Sequence, residues 1–148
     1  MQAVADNKTG EGLKRKKGSQ TLVFDDVRVL SSATAVGPME GAGPLGNDYD
    51  VIHEDLYVGQ DTWEKAERKL LQEAADKAVE KAGLQKEQIG LFLAGDLLNQ
   101  IISATFTAKY LQVPYLGMFG ACSTSMETLA TAAALVEAGY VDYALAAC

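Results

Sequence analysis

One histidine, one tryptophan, two cysteines and three prolines stand among 148 residues, and each scarcity closes off a class of protein. Two cysteines, one of them the last residue, cannot supply the bridge framework of a small secreted domain. Both read as free thiols of a reducing compartment. The only imidazole, His53, lies between Ile52 and Glu54 in a stretch without periodicity, where a histidine reads as a surface or packing residue rather than a catalyst. No apolar run approaches the roughly 18 residues needed to cross a bilayer, and the polar start lacks the charged-then-apolar order of a signal peptide. The expectation is a chain with neither a transmembrane helix nor an export signal. Positive charge is scarce beyond the first residues. Residues 1–19 hold five basic and two acidic side chains, so the overall charge of −7 leaves −10 on the remainder. An acidic body repels phosphate backbones, which argues against nucleic-acid binding. Residues 1–19, poor in apolar side chains and carrying Lys14-Arg15-Lys16-Lys17, read as a disordered basic leader; contact with an anionic membrane surface is the other use of such a run.

What remains is rich in apolar residues, at 48% of the chain, enough for one folded unit with a substantial core. Residues 21–24 and 27–31 read as one strand or a bent pair interrupted by Asp25-Asp26, and residues 33–60, with two of the three prolines, read as a long loop. Asp61 is placed to cap a helix whose apolar positions Ala66, Leu70, Leu71, Ala74, Ala75, Ala78 and Val79 share one broad face, with Glu73 and Lys77 paired on the wet side, Trp63 as a core anchor and Gly83 as the stop. A strand over 89–94, a short helix over 103–111 and a strand over 115–119 follow, and the chain finishes with a helix over 126–138, a stop at Gly139 and a strand over 141–147. Alternating strands and helices imply a parallel sheet with right-handed crossovers.

The chain is organised around residues 116–129. An apolar strand enters Gly120, small polar residues follow Cys122, and an alanine-rich helix begins. A tight turn with a cysteine at its apex lifts the sulfur out of the sheet and sets it beside the N–H groups at the positive end of that helix, which favour a thiolate or a bound anion. The residues equally allow a plainer reading, with Cys122 a small buried side chain and Thr124-x-x-Glu127 a capping box. The following helix is apolar on nearly every side, so it asks for cover on the flank away from its own sheet. For that reason the chain reads as one half of a larger fold, completed by other residues or by a partner subunit.

Gly120-Ala121-Cys122-Ser123-Thr124-Ser125, the alanine-rich helix, and Gly139 with its strand resemble the nucleophile elbow of the thiolase and ketoacyl-synthase superfamily. More narrowly, Ala94-Gly95-Asp96-Leu97-Leu98-Asn99-Gln100, Met118 through Thr128, Gly43-Pro44-Leu45-Gly46 and Trp63-Glu64-x-Ala66-Glu67-Arg68 resemble the stage V sporulation protein AD family of spore-forming Firmicutes, from about residue 20 to the end. The resemblance implies an α/β, thiolase-like fold over 20–148, the N-terminal half of a five-layer αβαβα architecture built from two similar halves. It implies a protein of spore formation that binds dipicolinic acid, free or as its calcium chelate, and helps bring it into the spore. The partners it implies are other proteins of the same spore-membrane channel operon, and a second copy in a homodimer. The place it implies is the cytoplasmic face or periphery of the spore inner membrane. No cofactor and no metal site follow from it.

The ligand contacts expected on this reading are Cys122, Ser123, Thr124 and Ser125 at the helix start. Asp96 and Asn99 join them at the carboxyl end of a strand, although Asn99 as a helix cap and Asp96 as a turn residue are the competing uses. Cys122 also occupies the position of the catalytic nucleophile. Acyl transfer through a Cys122 thioester is therefore the alternative activity, but the histidines or histidine and asparagine that assist it in catalytic relatives have no counterpart here, and a half-domain without activity is the third option.

Overall fold

The computed structural model describes residues 2–5, by their backbone, 21–98 and 100–148. Three strands carry the centre: β5 (Leu91–Ala94) pairs in parallel with β6 (Tyr115–Gly117) on one side and with β7 (Tyr143–Ala147) on the other. The runs of buried apolar residues in β5 and β7 suit a sheet covered on both faces, while β6 is a partly exposed edge. Beyond β7 the direction reverses. Strand β1 (Gln2–Ala5) is antiparallel to β7 and to β2 (Arg28–Ser32), which makes the order β2-β1-β7-β5-β6. The sheet is therefore mixed, and the expected parallel pairing holds for β5, β6 and β7. Gln2–Ala5 fall within the stretch expected to be leader and are here an inner strand of the sheet; residues 6–20 lie outside the described residues.

Residues 21–24 do not join a strand. The backbone N–H groups of Asp25 and Asp26 donate to the Glu137 carboxylate at the end of the last helix, at 3.0 and 3.4 Å, and this anchor holds the segment off the sheet until Arg28. The region expected as a long loop is more ordered than that. It holds β3 (Ala35–Val36), a single helical turn α1 (Pro38–Gly41), a tight turn at Gly46–Asp48 and β4 (Val51–Ile52), with β3 and β4 paired in parallel. A side chain at Gly46 would strike the Gly41 carbonyl, so this close crossing of backbone against backbone requires glycine.

Helix α2 (Trp63–Lys81) buries Ala66, Leu71, Ala74, Ala75, Ala78 and Val79, the face that periodicity assigns. Its cap is Thr62 rather than Asp61: the Thr62 hydroxyl accepts the Lys65 N–H at 3.3 Å, while the Asp61 carboxylate pairs with Lys65 Nζ at 2.7 Å. Trp63 is not a core anchor. It is 49% exposed and stacks on Tyr57 with ring centres 4.3 Å apart, in a first turn of α2 that is exposed throughout residues 62–65. Glu73 pairs with Lys69 and His53, and Lys77 with Glu80, so the expected pairing of Glu73 with Lys77 is replaced. Helices α3 (Ile102–Leu111) and α4 (Thr124–Glu137) complete the set.

The strand side chains alternate between two cores. Phe92, Ala94, Leu145 and Ala147 face α2 and α3, where they meet Leu71, Ala75, Ala78, Ala104, Ala108 and Leu111. Leu93, Ala144 and Ala146 face α4, meeting Ala132 and Val136. The result is three layers, α2 and α3, then the sheet, then α4. On the far side of α4, Met126 is 61% exposed, Ala134 and Ala138 are exposed, and Ala130 is half-buried. One flank of this apolar helix is therefore open in the chain by itself. Among the described residues no helix is long and apolar enough to cross a membrane.

Candidate functional site

The carboxyl ends of β5 and β6 come within touching distance because Gly95 has no side chain. A Cβ there would collide with the Met118 carbonyl and lie 2.8 Å from Thr124 Cγ2. The chain leaving β6 can thus run tightly over the chain leaving β5. It then folds into a short helical turn over Ala121–Ser123, entered through Ala121 at φ 49, a left-handed conformation unusual for a residue with a Cβ. This is the expected elbow, with the backbone irregularity one residue before the cysteine. Cys122 is an exposed free thiol on it.

Hydrogen bonds knit the elbow together. Thr124 Oγ1 accepts the Gly120 N–H at 3.1 Å and donates to the Ala121 carbonyl at 2.8 Å, which makes Thr124 a buried strut. Ser123 Oγ lies 2.7 Å from the Gly120 carbonyl and 2.5 Å from Glu127 Oε1. The capping box read from Thr124-x-x-Glu127 does not form, since Thr124 is the first helical residue and Glu127 engages Ser123 instead. A carboxylate in the first turn of α4 complements the helix's positive end. Glu127, read from the sequence as the capping-box partner of Thr124, thus acts at the helix start through Ser123.

A cavity of about 460 Å³ opens beside the elbow. Cys122 and Thr124 line it from the elbow, Asp96 and Leu97 from the end of β5, Cys148 from the end of β7, Glu67, Leu70, Leu71 and Ala74 from α2, and residues 33–36 from β3 and its approach. Of the predicted ligand contacts, the fold brings Cys122, Thr124 and Asp96 to this space. Ser123 turns into the elbow's own hydrogen bonds, and Ser125 lines a separate recess of about 110 Å³ with Met126, Leu129 and Cys148. Asn99 lies outside the described residues.

Asp96 is 6% exposed and uses both oxygens on backbone: Oδ1 accepts from Ile101 N–H at 3.1 Å and Oδ2 from Ala104 N–H at 2.8 Å. It satisfies the start of α3, where Ile101 stands at φ 77 with no side-chain cap of its own. Glu67 does matching work from α2, with Oε2 accepting the Ser103 hydroxyl at 2.7 Å and Oε1 the Leu98 N–H at 3.2 Å. A glutamate flanked by Ala66, Leu70 and Leu71 on a buried face is the sequence signal for it. Both carboxylates hold the 96–104 segment, and both line the cavity. Among the described residues no lysine, arginine or histidine lines it. His53 is elsewhere, with Nε2 at 2.5 Å from Glu73 Oε2. Among the described residues no group of three or more metal-ligating side chains comes together.

A mixed α/β layer structure with a cysteine-bearing turn between a parallel strand and a buried-face helix, opening on a cavity at the strand ends, defines the class of this protein. The sequence profile of the stage V sporulation protein AD (SpoVAD) family matches residues 18–148. The chain belongs to that family. It is 50% identical over 131 residues to stage V sporulation protein AD of Bacillus subtilis (strain 168), a match that takes in 88% of this chain and 39% of that protein. The chain thus spans well under half the length of this curated relative.

Proposed function

We propose that this sporulation protein binds dipicolinic acid and supports its uptake into the developing spore, with the cavity beside Cys122 as the binding place. The observation that carries the reading is the cavity itself. Its volume of about 460 Å³ suits a small aromatic ligand, and it lies outside the carboxyl ends of parallel strands, where open α/β sheets receive ligands. The turn carrying Cys122 and the first residue of α4, Thr124, line the cavity, so the positive end of that helix faces a carboxylate placed there.

Electrostatics sets the form of the ligand. Glu67 and Asp96 line the cavity and, among the described residues, nothing cationic does, so a bare dianion is repelled by them. The calcium chelate has its charge neutralised, and calcium accepts further carboxylate oxygens such as those of Asp96. The three layers are read as the first half of a thiolase-like fold, in which a second half covers the open flank of α4. Partners are then a second copy of the protein and the other products of its spore-membrane operon, at the periphery of the spore inner membrane. The test is calorimetric titration of dipicolinate with and without Ca²⁺ into the wild-type protein and Cys122→Ala. Heat in the presence of calcium that weakens in the variant supports the reading; no heat under either condition removes it. The exposed thiol at the elbow favours one competing activity, acyl transfer through a Cys122 thioester, which intact mass measurement after incubation with acyl-CoA detects as an adduct lost in the same variant.

A further inference from the structure

We propose that residues 33–53 form a proton-controlled strap over one wall of the cavity, latched to α2 by the pairing of His53 with Glu73. The strap begins at β3, where residues 33–36 are that wall, facing Leu70, Leu71 and Ala74 of α2. Its return strand β4 grips β3 through two main-chain bonds, Val51 N–H to the Thr34 carbonyl at 3.1 Å and His53 N–H to the Val36 carbonyl at 2.9 Å. The Asp50 carboxylate adds a bond from the Thr34 N–H at 3.0 Å. Whatever fixes β4 therefore fixes the wall.

Little apolar burial does so. Within residues 33–53 only Ala33 and Gly46 are buried, while Met39 and Leu45 are 76% and 57% exposed and Ile52 is 45% exposed. A segment so poorly packed opens at low free-energy cost unless polar links hold it. Two links tie β4 to α2: Asp50 to Lys81 Nζ at 2.8 Å and His53 Nε2 to Glu73 Oε2 at 2.5 Å. The first keeps its charges throughout the neutral range. The second depends on an imidazole, the one side chain there whose charge ordinarily changes between about pH 5 and 8.

The charged groups around the latch make it a switch with a defined sense. From α2, Glu73 faces His53 and is itself held by Lys69 at 2.8 Å, with Lys81 further along the helix; from the strap's own side come the neighbouring carboxylates Glu54 and Asp55. The protonated ring gains a charge-assisted bond and an ion pair, and the neutral ring retains at most a weaker hydrogen bond. Because Glu73 keeps Lys69 after His53 lets go, release leaves no bare buried carboxylate. The wall is thus closed on the acid side and loosens as pH rises.

Hydrogen exchange at the Val51 and His53 amides, corrected for the intrinsic pH dependence of exchange, tests this between about pH 5.5 and 8 in the range set by histidine chemistry. In the wild-type protein, protection falls about fivefold with rising pH, the size a partly exposed ion pair gives. His53→Gln removes the titrating group and flattens the profile. Glu73→Gln keeps the imidazole, removes its partner and flattens it too, so either variant decides if the other fails to fold. A wild-type profile without a step, or the same step in a folded variant, overturns the proposal. The proposal bears on ligand access only if the cavity is a binding site. The exchange measurement uses no ligand, so failure of dipicolinate binding leaves the strap standing, and a flat exchange profile leaves the ligand reading standing.

Discussion

Asp96 shows how a residue placed at a predicted site can be occupied with building it. Its two oxygens satisfy two backbone N–H groups at the start of α3, and an amide in its place offers one acceptor where two are needed. Asp96→Asn should therefore lower unfolding free energy by about 1–3 kcal/mol, the penalty of a buried unpaired donor, read from urea denaturation. Gly95→Ala should cost about 1–3 kcal/mol or more for a different reason, since its new methyl meets the Met118 main chain, which cannot swing aside. Glu73 carries the clearest pH signature. Partial burial pushes its carboxyl up, but the hydrogen bonds from Lys69 and His53, with their charges, outweigh this and hold it below the ordinary 4.5. A carboxylate lowered on folding contributes stability above its unfolded value and loses it as pH falls through the folded one. The difference in melting temperature between wild type and Glu73→Gln should accordingly be largest at about pH 5–6, where the carboxylate and the imidazole are both charged, shrink toward about pH 8 and vanish in strong acid. At this scale the sequence was partly legible. Cys122 and Asp96 could be named from their places at strand ends, whereas the bonds of Glu67 and Glu127 depend on which turn of another segment lies above them.

Helices announced themselves through period and punctuation. Both α2 and α4 end in the same way, with Gly83 and Gly139 at φ 69 and 74, each N–H returning to the last turn, and Leu84 and Tyr140 reaching back to Val79 and Leu135 at 3.2 and 3.0 Å. The glycines were read correctly as stops because that geometry excludes a Cβ cheaply only in glycine. Nothing lies within 4 Å of a Cβ at Gly83, so Gly83→Ala should cost about 1 kcal/mol from conformation alone, seen as a lower denaturation midpoint with unchanged slope. Starts were less legible: Asp61 and Thr62 are both able caps, and only the direction in which the chain enters α2 chooses between them. The strap was missed as structure, since two-residue strands have no period and its order rests on partners far along the chain.

In the whole molecule, the alternation of Phe92 and Ala94 against Leu93 divides one sheet between two cores, and an α/β layer arrangement was accessible from element order. The antiparallel β1 was not, because a four-residue strand beside a polar run carries no signal until its neighbours are known. The open flank of α4 was anticipated from its lack of a polar face. Met126→Lys on that flank should leave stability within about 0.5 kcal/mol in urea denaturation, as expected of an exposed position.

The lone indole, lying on Tyr57 at the outer end of α2 rather than inside either core, makes the chain's natural emission a local gauge. Its colour and intensity follow the fraying of one helical turn, so an unfolding trace recorded that way should run ahead of the circular dichroism of the sheet and helices, and the gap between the two curves measures how independently that corner melts.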